Sequence, residues 1–286
     1  MKVIRTLLII FILFSFSLTA FSQENVKAKI YPHWIGQGQT FIMKIFPKKE
    51  IVSGYGEAFG ERFSFFRLSD SFRGVVGVPV DAAVGMHKIE LFIEYRDGTK
   101  VTEDHYVEIK RSKFPKVSFW LNPDKKQLLS PQLVEEEWAQ IEKEVVKATL
   151  QQLWKGYFMK PAWGRYSMTF GMRQMINGKL SGQHRGLDIA GKANYKIFAA
   201  NNGRVVFTSY LRAFGNTIVI DHGQGVFSLY FHLSKIGVKK NDDLKRGAVI
   251  GRMGSTGVAT GVHLHFAMSV NNVRVDPTQW LNGVIM

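Results

Sequence analysis

The stretch GVHLHF at residues 261–266 decides how this chain is interpreted. Side chains on a strand alternate between its two faces, so His263 and His265 share one face while their apolar neighbours occupy the other. One histidine on a strand is usually an ordinary structural residue. A pair on one face, with further histidine and aspartate residues upstream, predicts a metal or acid–base site in a cleft.

The composition allows such a site but limits its ligands. The chain has 286 residues, of which 45% are hydrophobic and 21% charged, so it is globular in composition and long enough for two domains. It contains no cysteine. Disulfides and thiolate ligands are therefore excluded, and a bound metal would need histidine, aspartate or glutamate ligands.

Residues 1–22 have the pattern of a secretory signal peptide. Lys2 and Arg5 form a basic start, residues 7–18 are almost wholly apolar, and Ala20 and Ser22 are small residues suited to peptidase cleavage. The apolar run is too short to span a bilayer comfortably, which argues against a membrane anchor. We expect an exported protein of the periplasm, cell envelope or extracellular space, with no transmembrane segment in the mature chain.

The net charge indicates what kind of surface an exported form would approach. The formal charge is +15. Cleavage of residues 1–22 would remove Lys2 and Arg5 but no acidic residue, and would leave a charge of +13. A basic secreted protein is attracted to anionic polymers such as those of the cell wall. No basic motif interleaved with aromatic residues is present, so we expect a wall-facing surface and no nucleic-acid partner.

Residues 23–112 show a pattern of short strands. Predicted strands cover 40–46, 72–78, 88–95 and 101–109, and the last two are joined by a turn at 96–98. Strands at this spacing predict a small β-sandwich, immunoglobulin-like in type.

Residues 113–160 are predicted to be a linker and a helix. Two prolines and several lysines within 113–126 indicate a linker. Ser130 and Pro131 then mark a helix start, and the helix is expected to run to Lys155. Its apolar stripe is expected to pack on a flanking domain; the stripe comprises Val134, Trp138, Ile141, Val145 and Ala148.

Residues 161–286 are predicted to be a mostly antiparallel β domain with no helix after Gly156. Expected strands lie at 203–207, 216–220, 226–231 and 247–253, each bounded by glycine, asparagine or aspartate. We expect this domain to have a core that is complete without the sandwich. The predicted fold class is therefore mainly β, with two β domains joined by a helix.

Several possible ligands fall within this last domain: His184, Asp188, Asp221, His222, His232, His263 and His265. A hydrolytic zinc site needs about three protein ligands and one open position, and two histidines with one carboxylate meet that need. Two remaining histidines could serve as a base and a transition-state stabiliser. On an extended segment His184 and Asp188 share a face, and Gly186 between them leaves that face unobstructed.

Three blocks in order resemble the signatures of the LytM/lysostaphin-type zinc metallopeptidases. They are SGQHRGLDIA at 181–190, LYFHLS at 229–234 and HLHF at 263–266. Supporting pieces also match, namely TFGMR at 169–173, DHG at 221–223, GSTG at 254–257 and VDP at 275–277. The resemblance covers about 163–281. One departure is Ala267, where the family often has an acidic residue.

The resemblance implies a catalytic domain of the lysostaphin type with one Zn²⁺ per chain. It implies that His184, Asp188 and His265 are the metal ligands. His263 would be the general base or the residue that polarises the oxyanion, with His232 as its partner across the cleft. The implied reaction is hydrolysis of peptide bonds in peptidoglycan, in stem cross-links or interpeptide bridges. His222 is interpreted as structural, Tyr230 as a packing or cleft-lining residue, and Arg185 as exposed.

Three alternatives stay open from the sequence. The chain could be a catalytically silent wall-binding protein or an activator of another wall hydrolase, as some relatives of this family are. It could be a non-haem iron oxygenase, since two histidines and one carboxylate also form a facial triad. The N-terminal domain could be a wall adhesin, or could target, shield or recruit a regulatory protein partner to the catalytic domain.

Overall fold

A computed structural model describes residues 26–283 of the chain. The predicted signal peptide at 1–22 lies outside the described residues. None of the helices within this range is long and apolar enough to cross a membrane.

The N-terminal region is built from short strands, as its turn-rich sequence predicts. They are β1 (Val26–Tyr31), β2 (Ile35–Gly36), β3 (Thr40–Pro47), β4 (Ile51–Ala58), β5 (Glu61–Ser64), β6 (Phe66–Arg67), β7 (Phe72–Gly77), β8 (Gly85–Tyr95) and β9 (Lys100–Lys110).

These strands form two sheets around one apolar core. One sheet has the order β1-β3-β7-β6 and the other β2-β9-β8-β4-β5. Apolar residues from both sheets, among them Phe41, Met43, Leu91 and Ile109, share a single buried cluster. The mainly β prediction is confirmed for this region, and the immunoglobulin-like type stays a prediction.

The segment expected to be a linker and a helix contains more structure than its lysines and prolines suggest. It holds β10 (Lys116–Phe119), α1 (Pro123–Gln127) and α2 (Pro131–Val145). Strand β10 pairs in parallel with a strand of the C-terminal region that begins at Arg173. The predicted helix does start next to Ser130, but it ends at Val145 rather than Lys155. The residues after the helix pack against the C-terminal region instead. Leu153 N–H donates to His222 O, and Trp154 is buried in the core of that region.

The C-terminal region is predominantly antiparallel, as expected. Its strands are β11 (Arg165–Met168), β12 (Arg173–Ile176), β13 (Lys179–Gln183), β14 (Leu187–Ala190), β15 (Lys196–Phe198), β16 (Gly203–Leu211), β17 (Gly215–Gly223), β18 (Val226–Leu233), β19 (Lys235–Ile236), β20 (Asp243–Leu244), β21 (Val249–Arg252), β22 (His263–Val270) and β23 (Val273–Val275).

The expectation of no helix after Gly156 is wrong. Helix α3 (Pro277–Leu281) follows the last strand. Asp276 caps it, with Oδ1 accepting a hydrogen bond from Thr278 N–H at 2.9 Å, and Pro277 occupies the first turn. Aspartate followed by proline is itself a helix-start signal, but a helix of five residues is too short to show apolar periodicity.

The large sheet has the order β11-β14-β22-β18-β17-β16-β20, and β23 pairs with β22. One face of the sheet belongs to the main core of the region; we call it the core face, and it includes Leu264, Phe266 and Tyr230. The opposite face carries His263 and His265 at one end and apolar residues such as Leu229 and Ala267 at the other. We call this the cleft face.

Helix α2 packs on the apolar end of the cleft face. Ile141 and Val145 are buried there with Phe227, Leu229 and Ala267, and Trp138 packs against the same cluster. The prediction that the stripe packs on a flanking domain is confirmed. This packing also explains why Ala267 stands where the family often has an acidic residue. A glutamate at that position would bury its charge beneath α2.

The two β regions share part of one core. Ile42, Val75 and Trp154 lie outside 161–286, yet they belong to the buried cluster of the C-terminal region. Gln279 adds two hydrogen bonds to the Thr40 backbone, at 2.7 and 2.8 Å. The expectation of a C-terminal core that is complete without the sandwich is therefore wrong.

Candidate metal centre

Strand pairing brings the first and third signature blocks together. In the antiparallel pair of β14 and β22, Asp188 lies opposite His265 and Ala190 lies opposite His263. Alternation along β22 then directs both histidines to the cleft face, while Leu264 and Phe266 enter the core. His263 and His265 thus share one face because of their spacing, and the register of β14 against β22 places Asp188 beside them.

Three possible ligand atoms converge at this point. Asp188 Oδ1 lies 3.0 Å from His184 Nε2 and 2.8 Å from His265 Nδ1. The two ring nitrogens are 2.9 Å apart. Within residues 26–283, His184, Asp188 and His265 form a group that could hold a metal ion. Two imidazole nitrogens and one carboxylate oxygen are donors that Zn²⁺ accepts, so the donor set fits that metal.

The orientation of His184 also fits metal binding. Its Nδ1 lies 3.0 Å from Thr169 O. A carbonyl oxygen only accepts hydrogen bonds, so Nδ1 carries the proton and Nε2 keeps its lone pair directed at Asp188 and His265. The TFGMR block that precedes the first signature therefore supplies the carbonyl that fixes the imidazole tautomer.

Gly186 leaves the space that the ligands need. A Cβ at this position would lie 2.5 Å from His265 Nε2. Because that contact is too close for any side chain, a larger residue would displace the imidazole. Glycine is therefore required here because the backbone of residue 186 passes close to the His265 ring.

The electrostatics of the site favour the charge states that bind a cation. Burial by itself raises the pKa of Asp188, but close contacts with the His184 and His265 rings, and the positive charge these rings carry when protonated, outweigh it and hold that pKa well below its usual range. Burial lowers the pKa of His265 to about 4. The carboxylate is therefore ionised and this imidazole neutral at neutral pH, as metal ligation requires.

Two further histidines lie beside the cluster. His263 Nε2 is 3.8 Å from Asp188 Oδ1, and its Nδ1 contacts Gly261 O at 2.9 Å. His232 Nδ1 contacts Thr256 O at 2.8 Å, and its ring centroid is 5.0 Å from that of His263. Both rings therefore hold the proton on Nδ1 and keep the lone pair on Nε2. Burial, then the charges of His263 and His265, lower the pKa of His232 to about 3.

A break in strand regularity brings His232 into this group. The pairing of β17 with β18 shifts register between Ile218 and Asn216, where β18 runs from Tyr230 to Leu233. His232 has φ of 64°, in the left-handed region. Such a bulge redirects a side chain, so Tyr230 enters the core while His232 lies next to the cleft histidines.

The other two candidates from the sequence lie elsewhere. His222 is on the core face, with Nδ1 2.7 Å from Asn202 O and Nε2 2.7 Å from Ser228 Oγ. Asp221 accepts hydrogen bonds from the backbone N–H groups of Thr149 and Gly223. Both residues are fully engaged in holding the fold, in agreement with the structural interpretation of His222.

The metal-ligand candidates open into a cleft of about 790 Å³. Its walls come from all parts of the described chain: Phe59, Glu61 and Asp81 from the sandwich, Glu135 and Trp138 from α2, and Arg185 and Arg274 from the C-terminal region. The sequence left open that the N-terminal domain shields the catalytic domain, but it named no sandwich or α2 residue as part of the site. It also missed Arg274, which belongs to no signature block.

The comparisons with known proteins agree with this geometry. The sequence model of peptidase family M23 matches residues 182–277, and this part of the chain is a peptidase family M23 domain. All three signature blocks, except the first residue of the first block, fall inside the match.

Similar curated proteins include both enzymes and an activator. The chain is 37% identical over 129 residues to the peptidoglycan DD-endopeptidase ShyA of Vibrio cholerae, covering 45% of this chain and 30% of ShyA. It is 34% identical over 122 residues to the murein hydrolase activator NlpD of Escherichia coli, covering 42% of this chain and 30% of NlpD. The match thus spans about a third of the length of these relatives.

A solved structure extends the likeness to most of the chain. A Pseudomonas aeruginosa protein assigned to peptidase M23 aligns with a TM-score of 0.65 at 26% identity, over 88% of this chain and 96% of that chain. The arrangement of the N-terminal β region ahead of the peptidase domain is therefore shared with another protein of this class.

Proposed function

We propose that this protein is an exported zinc metallo-endopeptidase that hydrolyses peptide bonds in peptidoglycan cross-links. The observation that supports it most directly is the convergence of His184, Asp188 and His265, with two further histidines beside them in one cleft. Membership of the domain in peptidase family M23 and the endopeptidase relatives support the reaction class.

In this proposal His184 Nε2, Asp188 Oδ1 and His265 Nδ1 hold the metal ion. A zinc ion bound there would supply Lewis acidity that polarises a carbonyl group and promotes the ionisation of water at neutral pH. The protein contributes an ionised carboxylate, a neutral His265 and a His184 whose tautomer is fixed by Thr169 O. These features reduce the proton release that metal binding would otherwise demand.

His263 and His232 manage protons in this mechanism. Their Nδ1 atoms donate to Gly261 O and Thr256 O, so each ring offers its Nε2 lone pair to the cleft. His263 Nε2, 3.8 Å from Asp188 Oδ1, takes the proton of the attacking water as general base and returns it to the leaving amine. His232 assists it from across the cleft, and protonation of either ring would add positive charge where the oxyanion develops.

The net positive charge of the chain supports a wall-facing role. Anionic wall polymers would concentrate the protein near its substrate, and this attraction weakens as salt rises. Export itself rests on the signal-like residues 1–22.

A silent activator is the second candidate, favoured by the likeness to NlpD. Against it, the proposed ligands His184, Asp188 and His265 are all present and adjacent in this chain, and so are His232 and His263. A protein that only recruits another hydrolase has no need of three converging ligands.

Two measurements separate these candidates. The purified protein should contain about one zinc per chain by elemental analysis. It should release soluble peptides from purified sacculi, and mass analysis of the products should show newly hydrolysed peptide bonds. Zinc-loaded protein that releases nothing by itself, yet accelerates a separate wall hydrolase, would establish the activator instead.

A further inference from the structure

Arg274 is a cation in the cleft that has no anionic partner in the part of the chain that the structure describes. It lies on β23, opposite Ser269 of β22, and lines the same cleft as His184 and His265. Among residues 26–283 it forms no ion pair within 4.0 Å. Of the acidic residues in the cleft wall, Asp81 lies 3.9 Å from Arg185, Glu61 contacts Asn272, and Asp188 belongs to the metal-ligand group. Glu135 also lines the cleft but lies more than 4.0 Å from the Arg274 guanidinium nitrogens.

The guanidinium of Arg274 lies close to two aromatic rings. Its Cζ lies 3.9 Å from the centroid of Trp138 on α2 and 5.6 Å from that of Phe231 on β18. Stacking fixes the plane of the group and leaves its N–H donors at the edge. Of these donors, Nη1 makes one long contact of 3.4 Å to Arg185 O, and the buried Nε has no partner within the described part of the chain.

Burial of the unpaired Arg274 charge costs free energy, and binding of an anion would offset that cost. Burial, then the nearby charge of Arg185, lower the pKa of Arg274 to about 9, so the group is still a cation at neutral pH. A buried charge normally has a hydrogen-bonded counter-ion, and an unpaired one is retained only where another role requires it.

Arg274 is also close to the reacting region. Phe231, the more distant of the two rings near Arg274, has its centroid 5.5 Å from that of His265. The backbone carbonyl that it contacts belongs to Arg185, the residue directly after His184. An anion bound to Arg274 would therefore sit within a few residues of a scissile bond at the metal-ligand cluster.

We propose that Arg274, assisted by Arg185, forms a subsite that binds a free carboxylate of the peptide substrate. This inference rests on the proposed function. It also narrows the substrate class: stem peptides with carboxylate-bearing residues fit the subsite, whereas an interpeptide bridge of glycines offers no side carboxylate. A planar guanidinium matches a carboxylate with two parallel hydrogen bonds, and Arg185 is exposed enough to turn from Asp81 to the ligand.

The test uses two soluble cross-linked stem-peptide dimers that differ only in their free carboxyl groups, which are carboxylates in one and carboxamides in the other. With the zinc-loaded wild-type protein, kcat/KM for the carboxylate dimer should exceed that for the carboxamide dimer by ~10–100-fold, as expected for a charge-assisted hydrogen-bonded pair. In Arg274→Gln the ratio should fall to near 1. Arg274→Lys keeps the positive charge but loses the paired N–H donors of the guanidinium, so it should retain part of the preference for the carboxylate dimer.

Arg246 provides the matched control. Its guanidinium also stacks on an aromatic ring, with Cζ 4.3 Å from the centroid of Tyr157, and its buried Nε also lacks a partner in the described chain. It does not line the cleft. Arg246→Gln should therefore keep the wild-type preference between the two dimers.

Equilibrium binding of both dimers to the zinc-depleted protein separates this proposal from the proposed function. Tighter binding of the carboxylate dimer, lost in Arg274→Gln, would support the subsite even if neither dimer were cleaved. Equal binding and equal cleavage of the two dimers by the wild-type protein would overturn the subsite and leave the hydrolase standing. If Arg274→Gln fails to fold, Arg185→Gln and Arg274→Lys carry the comparison, and an unchanged preference in both would overturn the proposal.

Discussion

Histidines lie on both sides of the large sheet, but these histidines have different surroundings. On the core face, both ring nitrogens of His222 have a partner, in Asn202 O and Ser228 Oγ. On the cleft face, His184 and His265 direct nitrogens at one carboxylate oxygen. Burial lowers the pKa of His222 and of His265 alike to about 4. A buried histidine with a shifted pKa is therefore not diagnostic, whereas convergence on a shared anionic partner is.

The sharpest test of this contrast removes the shared carboxylate. Asp188→Ala should lower metal affinity by more than roughly 100-fold, because even loss of a residue that only orients a ligand costs about 10–100-fold. Hydrolysis should disappear with the metal. Zinc content after dialysis provides the measurement, and Asp221→Ala, which removes a carboxylate that only holds backbone N–H groups, is the control. Full zinc retention in Asp188→Ala would refute the ligand assignment.

The next test separates the two kinds of histidine on the cleft face. His232→Ala and His263→Ala should each keep the metal and lose about 10²–10⁴ in kcat/KM, the usual loss for a positioned acid–base group. Zinc content and peptide hydrolysis should be measured on the same preparations. A metal-free variant would identify its missing residue as a ligand, and an active one would remove it from the mechanism.

His222 should behave in the opposite way. His222→Ala should destabilise the protein by about 2–5 kcal/mol, since it leaves a cavity in the core and removes the hydrogen-bond partner of the Asn202 carbonyl. Urea unfolding measures the change. Zinc bound per folded molecule should stay as in the wild type. Loss of metal from a variant that is still folded would mean that the two faces are coupled.

The smallest expected effect is a pH dependence of stability. The pKa of His222 is about 4 when folded and 6.5 ordinarily, so between these values the unfolded chain binds the extra proton and acid favours unfolding. The free energy of unfolding of the zinc-free protein should fall as pH drops from 6.5 towards 4, with this residue contributing at most about 1.4 kcal/mol per pH unit. Comparing wild type with His222→Ala isolates that share. Parallel pH profiles would contradict it.

The sequence predicts those parts of the site that depend on alternation and on local blocks. His263 and His265 share a face because strands alternate, and the stripe of α2 packs as its spacing indicates. The position of His232 could not be predicted in this way. Alternation directs it to the face of Tyr230, and only the bulge and the φ of 64° place it beside the cleft. Arg274 was missed because its significance depends on Trp138, which is distant in the sequence.

The end of α2 shows the same limit in the fold. The sequence pattern continues the helix to Lys155, but tertiary contacts decide the matter. Trp154 enters the C-terminal core and Leu153 bonds to the backbone of His222, and neither contact is visible in local propensity.

The contacts between Gln279 and Thr40 bear on how such proteins diversify. The family match ends at Pro277, two residues before the glutamine that hydrogen-bonds to the sandwich backbone, and Ile42 and Val75 complete the core from the other side. The segment that is inherited as a recognisable module is thus smaller than the segment that folds as one body. Gene fusions that exchanged only the module would leave apolar surface bare on both halves. Exchange of the peptidase module of this chain would therefore require matching changes on both sides of its contact with the sandwich.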